Sequence, residues 1–291
     1  MKKLRIILCA FLALLLSIAV LSPIPVYAYA EEADYVYIGG YPIGAKLLSE
    51  MADDGRLSPA DAETAMMFCY GSGPAFAAGV AGISIFGDMR FGLAALLANL
   101  SANLTLYIVY MIFSKKQNAK NPSQYKGFST GLIADSVSSA TGAMAGICSM
   151  ILFFAALKAV LESVFPQIIN MKYFASVLEI SNIGALSARQ GVSLIAVTML
   201  LGFGGLCVHM QLFAIINGRF RMGRFYLSRL IALPLAGGYA FLIERIMYNL
   251  GIVSTAATKI RLSQSRSLIP IICVAAMVFI TLREKSKQCD L

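Results

Sequence analysis

The hydrophobic and polar positions of this chain alternate in long blocks. Apolar runs lie at 6–21, 91–113, 192–216 and 225–243, and a short polar or charged stretch follows each of them. A helix is also predicted over 129–164, polar in its first third and apolar afterwards. Apolar runs of about 20 residues are long enough to cross the hydrocarbon core of a bilayer as a helix. The pattern therefore predicts an all-α, polytopic membrane helix bundle.

Composition strengthens this prediction and excludes one class of partner. Hydrophobic residues make up 58% of the chain and charged residues 13%, with a mean hydropathy of +0.75. An ordinary soluble domain carries about 25% charged residues. The net charge of +9 comes from Lys and Arg in short loops between apolar runs, where positive charge fixes topology. We therefore expect a multi-pass membrane protein, with the lipid bilayer as its main partner and no nucleic-acid binding.

Positive charge also predicts an orientation. The N-terminus, the 114–127 loop, the 217–229 region and the C-terminus are expected in the cytoplasm, because Lys and Arg collect there. Residues 1–30 fit either a cleaved signal peptide or an uncleaved N-terminal transmembrane helix. Small residues at Ala28 and Ala30 suit a signal-peptidase site, and both alternatives stay open.

Two predicted apolar helices are interrupted by glycine, and this divides the membrane domain (31–291) into two similar halves. The interruptions are Gly71-Ser72-Gly73-Pro74 and Gly202-Phe203-Gly204-Gly205. Each follows a segment expected to be broken or re-entrant, at 38–52 and 175–190. The order predicts half-repeats at about 38–127 and 128–250, with inverted repeats as one arrangement. An extra C-terminal helix is predicted at 268–283.

Glycine or proline breaks at corresponding positions of two halves are typical of transporters with inverted repeats. An unwound helix inside lipid exposes N–H and C=O groups, each unfavourable by several kcal/mol unless it is paired or hydrated. Such breaks are therefore expected to line a polar site, where half-helix N-termini attract anions or polar solutes. The alternative is that the glycines only allow close helix packing.

Three stretches resemble a known family in sequence and in order. They are Gly40-Tyr41-Pro42-Ile43-Gly44-Ala45-Lys46, Ser72-Gly73-Pro74, and Gly202-Phe203-Gly204-Gly205-Leu206-Cys207-Val208-His209-Met210-Gln211. Together with Leu178-Glu179-Ile180-Ser181-Asn182 they resemble the sporulation integral membrane protein YlbJ family, over roughly residues 38–250. The resemblance implies a nucleoside-recognition or Gate-type membrane domain in a bacterial inner membrane and a link to spore cortex formation. The family's helices before the first stretch are missing here, and the signal-like segment stands in their place.

Polar residues inside the predicted helices and breaks are the candidate solute-binding residues. Asn99 and Asn103 lie four apart on one helix face, which indicates either a solute site or interhelical hydrogen bonds. His209 is the only histidine of the chain and the best candidate for handling a proton, although a lone histidine is more often a packing residue. The other candidates are Ser72, Gly73, Asp135, Ser139, Glu179, Ser181, Asn182 and Gln211.

Other charged residues are assigned structural roles. Lys158 and Glu162, four apart, are expected to form an ion pair, and the arginines from 219 to 229 are expected to fix topology and contact lipid headgroups. The chain lacks GxSxG, Walker and HExxH motifs, so we expect neither an enzyme nor a metal or other cofactor.

Two functions follow from these observations. The first is binding or transport of a small polar solute, perhaps nucleoside-like, at the broken helices. The second is a membrane scaffold that transports nothing and assembles partners during spore development, as a homo-oligomer or with other sporulation membrane proteins.

Overall fold

The computed structural model describes residues 40–113, 130–169, 173–186 and 191–251. Within these ranges every regular element is helical and no strand occurs. The predicted N-terminal segment, the 114–127 loop and the C-terminal helix lie outside the described residues. The chain is an all-α membrane helix bundle.

The helices are named here in chain order, with the bounds that the structure gives. They are α1 (Ile43–Asp53), α2 (Pro59–Met66), α3 (Pro74–Phe76) with a π-helix directly after it (Ala77–Phe86), α4 (Met89–Phe113), α5 (Thr130–Val164), α6 (Pro166–Ile169), α7 (Phe174–Leu178) with a 3₁₀ turn after it (Ile180–Ala185), α8 (Leu194–Phe203), α9 (Gly205–Ile216) and α10 (Gly223–Asn249).

Four segments of the described residues are long and apolar enough to cross a membrane. They are Met89–Tyr110, Thr141–Val164, Leu194–Ile216 and Gly223–Asn249. They differ in burial, because 72% of the best window of Leu194–Ile216 is inside the bundle and only 6% of the window of Thr141–Val164 is. The α8–α9 pair is thus the centre of the bundle, while α5 leaves most of its apolar surface to lipid or a partner.

Two ion pairs hold the α1–α2 turn against the α9–α10 turn. The Arg219 Nε lies 2.7 Å from the Asp53 carboxylate, and the Arg224 Nε lies 3.8 Å from the Glu63 carboxylate. Ser58 begins α2 by accepting a hydrogen bond from the Asp61 N–H at 3.2 Å, and Pro59 occupies the first helical position. These two turns therefore lie at the same end of the bundle.

The π-helix and α4 form a hairpin with very close backbone contact. A Cβ placed on Gly92 would overlap the Ala77 carbonyl oxygen and lie 2.8 Å from the Gly82 nitrogen. At the turn, Asp88 accepts a hydrogen bond from the Arg90 N–H at 2.9 Å. A side-chain hydrogen bond from Arg90 lowers the pKa of Asp88, so this carboxylate stays charged at the start of α4.

Several predicted elements are confirmed and others are wrong. The helices at 91–113 and 129–164 and the first break at Gly71–Pro74 are confirmed. Gly202 is not part of the second break, because it lies inside α8 and the helix ends one residue later at Phe203. The segment predicted as broken or re-entrant at 38–52 is described from residue 40, and residues 43–53 form one amphipathic helix in it.

We predict that Gly92→Ala lowers the free energy of unfolding by about 1–3 kcal/mol, the usual effect of overpacking. The new methyl group would overlap backbone atoms of the π-helix, which cannot rotate away as a side chain could. Thermal unfolding in detergent measures it. Gly79→Ala, in the same hairpin, is the control, since a Cβ there meets nothing within 4 Å. Equal stability of the two variants would contradict the close contact.

Candidate functional site

The two helix breaks, far apart in sequence, meet through two tyrosine side chains. The Tyr70 hydroxyl donates a hydrogen bond to the Phe203 carbonyl at 2.7 Å. The Tyr41 hydroxyl donates to the Leu201 carbonyl at 2.5 Å, and the two tyrosine rings lie 5.0 Å apart. Both acceptors belong to the last turn of α8, just before the second break. We call this contact region the junction.

Gly204 makes this close approach sterically feasible. Its φ of +80° lies in the left-handed region, which ends α8 and which other residues rarely adopt. A Cβ at Gly204 would also overlap the Tyr70 hydroxyl oxygen. The residue at this position must therefore both reverse the backbone and leave room for a tyrosine, and glycine meets both requirements.

The carbonyl groups freed by the first break also receive donors from the protein. The Tyr41 N–H donates to the Gly71 carbonyl at 3.0 Å. The Asn103 amide donates to the Tyr70 carbonyl at 3.0 Å, and the Arg229 guanidinium donates to the Met67 carbonyl. Backbone carbonyls at both breaks are thus paired with side chains or backbone of other elements.

Arg229 is a buried cation in the second turn of α10, with 2% of its surface exposed. Besides the Met67 carbonyl, it donates to the Asn103 side-chain oxygen at 2.9 Å. Its guanidinium also lies 5.6 Å from the ring centroids of Tyr70 and Phe225. The expectation that Arg229 belongs to a group fixing topology at the membrane surface is wrong, because its charge lies inside the bundle beside the first break.

His209 and Ser72 are buried beside the two breaks. The Ser72 hydroxyl has no hydrogen-bond partner in the described part of the chain. The His209 nitrogens make no hydrogen bond of good geometry there, although the backbone of Phe203 lies close to the imidazole. His209 lies one turn into α9, with its ring centroid 4.9 Å from that of Phe203 and 6.1 Å from that of Tyr70. Ser72 lies inside the first break, two residues after Tyr70. Ser72 is thus close to Tyr70 along the chain, and His209 is close to it in space.

Asn99 and Asn103 both lie inside the bundle and make hydrogen bonds between helices. The Asn99 amide donates to the Thr198 carbonyl of α8 at 3.0 Å and to the Ala95 carbonyl at 3.1 Å. A Cβ at Gly202 would lie 2.6 Å from the Asn99 side-chain oxygen. Gly202 thus lets α4 and α8 pack closely, which is the alternative role considered for the predicted glycine breaks.

A separate polar turn contacts the second break at Gly205. It contains Glu179, Ser181 and Asn182. The Glu179 carboxylate accepts hydrogen bonds from the Ser181 N–H at 2.9 Å, from the Ser181 hydroxyl, and from the Asn182 amide at 3.2 Å. Lys158 of α5 donates to the Asn182 side-chain oxygen at 3.1 Å. The predicted ion pair of Lys158 with Glu162 is therefore wrong among the described residues, and Lys158 instead joins α5 to this turn.

Gly205 connects this polar turn to the second break. Its φ is +80°, and a Cβ there would lie 3.0 Å from the Ile180 nitrogen and 3.4 Å from the Glu179 Cα. Gln211, buried on α9, donates to the Cys207 sulfur at 3.4 Å. The candidates around Glu179 thus have local partners and form a structural turn that begins with Glu179 as its cap.

The remaining candidates are placed less fully. Gly73 ends the first break before Pro74, and a Cβ on Gly40 would lie 2.7 Å from its nitrogen. Asp135 and Ser139 belong to α5, but their side chains lie outside the described part of the structure.

Sequence reasoning missed Tyr41, Tyr70 and Arg229, which make the contacts of the junction. The position of Arg229 inside the apolar run at 225–243 was a usable signal, since a charged residue within a spanning segment usually faces the interior of the bundle and has a partner there. Nothing in the local sequence distinguishes Tyr41 and Tyr70 from membrane-interface tyrosines. Only the fold brings them to Leu201 and Phe203.

No protein-family model, curated protein or solved structure matches this chain. Four apolar helices among the described residues nevertheless make it an integral, multi-pass membrane protein. The resemblance to the YlbJ family stays a prediction.

We predict that Arg229→Met lowers the free energy of unfolding by about 2–4 kcal/mol, because the Met67 carbonyl and the Asn103 oxygen lose their donor in a buried site. Denaturation in detergent measures the change. Arg224→Met is the matched control on the same helix, and it should change stability by less than about 1 kcal/mol because its ion pair with Glu63 is at the surface. Similar losses in both variants would show that burial of Arg229 is not important.

Proposed function

We propose that this membrane protein binds a small polar solute at the junction of the two broken helices and carries it across the membrane. The observation that carries the proposal is the pair of buried, unpartnered polar side chains at the junction, Ser72 and His209. The other described polar groups there have partners in the protein. A solute that offers hydrogen-bonding groups would complete the two that do not.

Energetics supports a ligand at these positions. A buried polar group without a partner is unfavourable by about 1–3 kcal/mol. Replacing Ser72 by alanine or His209 by an aromatic hydrocarbon would remove this unfavourable term without loss of a described hydrogen bond. Two such groups next to the helix breaks support a binding function, whereas the unpartnered Thr198 hydroxyl lies inside the continuous part of α8.

The two breaks support a carrier over a static binding protein. Each break separates a helix from the next one within the membrane domain, and each accepts a hydrogen bond from the other half of the chain, from Arg229 at the first break and from Tyr70 at the second. Helix breaks of this kind at matching positions occur in transporters, where they surround the solute. The resemblance to the YlbJ family adds a cytoplasmic membrane location and a role in spore cortex formation, with a nucleoside-like solute as one example.

A scaffold without transport is the alternative, and α5 is the observation that favours it. Only 6% of the apolar window of this helix is buried in the bundle, so a long apolar surface is available to other membrane proteins. The paired carbonyls at both breaks also suit a static fold. The two functions differ in one respect: a scaffold has no use for the unpartnered groups of Ser72 and His209.

We predict that Ser72→Ala and His209→Phe keep or raise the melting temperature but weaken solute binding by about tenfold or more, the effect of losing about 1.4 kcal/mol of interaction. Purified protein in nanodiscs is screened against nucleosides, amino acids and sugars, and uptake of any binder is measured in proteoliposomes.

Thr198→Val is the matched control, because its buried hydroxyl likewise has no hydrogen-bond partner among the described residues but lies six positions before the second break. It should leave solute binding unchanged. A wild-type protein that binds nothing in the panel would favour the scaffold. Binding that survives in both junction variants would place the site elsewhere.

A further inference from the structure

We propose that the hydroxyl groups of Tyr41 and Tyr70 form a latch that closes the α8–α9 break, and that the latch must release before a solute can enter the junction. The role of the latch in solute entry rests on the proposed function, whereas the latch itself is inferred from the hydrogen bonds at the break.

The latch follows from the hydrogen-bonding needs of a helix end. The last four carbonyls of a helix have no partner within it. At the end of α8, the Leu200 carbonyl accepts from the Gly204 N–H at 2.8 Å. The Leu201 and Phe203 carbonyls instead accept from the hydroxyls of Tyr41 and Tyr70, at 2.5 Å and 2.7 Å. The first half of the chain thus supplies donors that close the break in the second half.

The tyrosine donors occupy the space that a solute would need. The Tyr70 hydroxyl fills the position where Gly204 lacks a side chain, and the Tyr41 ring lies 3.3 Å from the same position. When the tyrosines withdraw, the two carbonyls must find other donors, because an unpaired carbonyl in a membrane interior is strongly unfavourable.

Water or a solute with hydroxyl or N–H groups is the replacement that fits. The open state of the break is therefore hydrated, and the closed state is dry. The same bonds also couple the halves, because release of Tyr41 frees the segment that donates to the Gly71 carbonyl of the first break. Opening of one break therefore loosens the other.

The chain contains its own reporter of this opening. Cys207 lies in the first turn of α9, directly after the break, and is buried with 1% of its surface exposed. Cys207 packs against Phe154 of α5 and Leu178 of α7, so its alkylation by N-ethylmaleimide requires both water at the thiol and movement of these neighbours. Hydrogen exchange of the amides of residues 203–208 therefore reports opening of the break itself, and Cys207 alkylation reports whether reagent reaches the start of α9. Cys148 on α5 is already exposed and controls for access of the reagent.

The test compares wild type, Tyr41→Phe, Tyr70→Phe and the double variant in nanodiscs, well below each melting temperature and without solute. Alkylation of each cysteine is measured by peptide mass spectrometry, and hydrogen exchange of the amides of residues 203–208 is measured in parallel. Each single variant should raise the Cys207 alkylation rate about fivefold or more, the population change expected for loss of one hydrogen bond. The double variant should raise it further, and Cys148 should not change.

Tyr239→Phe is the matched control, because it removes another interhelical bond, 2.7 Å from the Tyr239 hydroxyl to the Thr105 hydroxyl, away from the break. It should leave Cys207 unchanged. The latch is overturned if Cys207 alkylation and hydrogen exchange stay at wild-type rates in the double variant. It is also overturned if Cys207 becomes reactive while the amides of residues 203–208 keep wild-type exchange rates, because movement of α5 alone would then explain the exposed thiol. These readouts need no solute, so a protein that binds nothing can still show the latch, and failure of the latch leaves the solute screen unaffected.

Discussion

Pairing of main-chain carbonyls at helix ends inside the membrane is the constraint on which this structure depends. A helix that ends within a bilayer has free carbonyl groups, and lipid offers no donors for them. In this chain α2 ends at Met66 and α8 ends at Phe203, and both residues are buried inside the fold. The donors that complete them are Tyr41, Tyr70, Asn103 and Arg229. The fold is therefore defined as much by these polar side chains as by its apolar helices.

The sequence positions of these donors make the bundle cooperative. The Tyr41 hydroxyl and its acceptor on Leu201 are 160 positions apart, and Arg229 and Met67 are 162 apart. The α8–α9 break can be completed only when the segment before α1 and the first break are both in place. Glycine is required for the same reason: at Gly204 a side chain would displace the Tyr70 hydroxyl and leave the Phe203 carbonyl without its donor.

The fold class and most helices could be predicted from the sequence, because long apolar runs have few alternatives to spanning helices. The first break was predictable for a similar reason, since Gly71-Ser72-Gly73-Pro74 combines flexible residues with a helix-starting proline. Whether Gly202 belongs to the second break or to α8 could not be predicted, because a glycine inside an apolar helix can either end the helix or allow a neighbouring helix to pack closely. Here the neighbour is Asn99, which lies 99 positions from its acceptor on Thr198, so only the tertiary fold decides.

The candidate site was harder to predict, because polar residues in a membrane protein serve two purposes that composition does not separate. Asn103 and Glu179 are as polar as Ser72 and His209, and all four are buried. Asn103 and Glu179 have protein partners, so their burial is explained by the fold. Ser72 and His209 have none among the described residues, so the fold does not explain why they are polar. Lack of a partner alone does not define a site, because the Thr198 hydroxyl inside α8 is also buried without one among the described residues. The proposed binding function therefore depends on the position of Ser72 and His209 next to the two breaks as well as on their polarity.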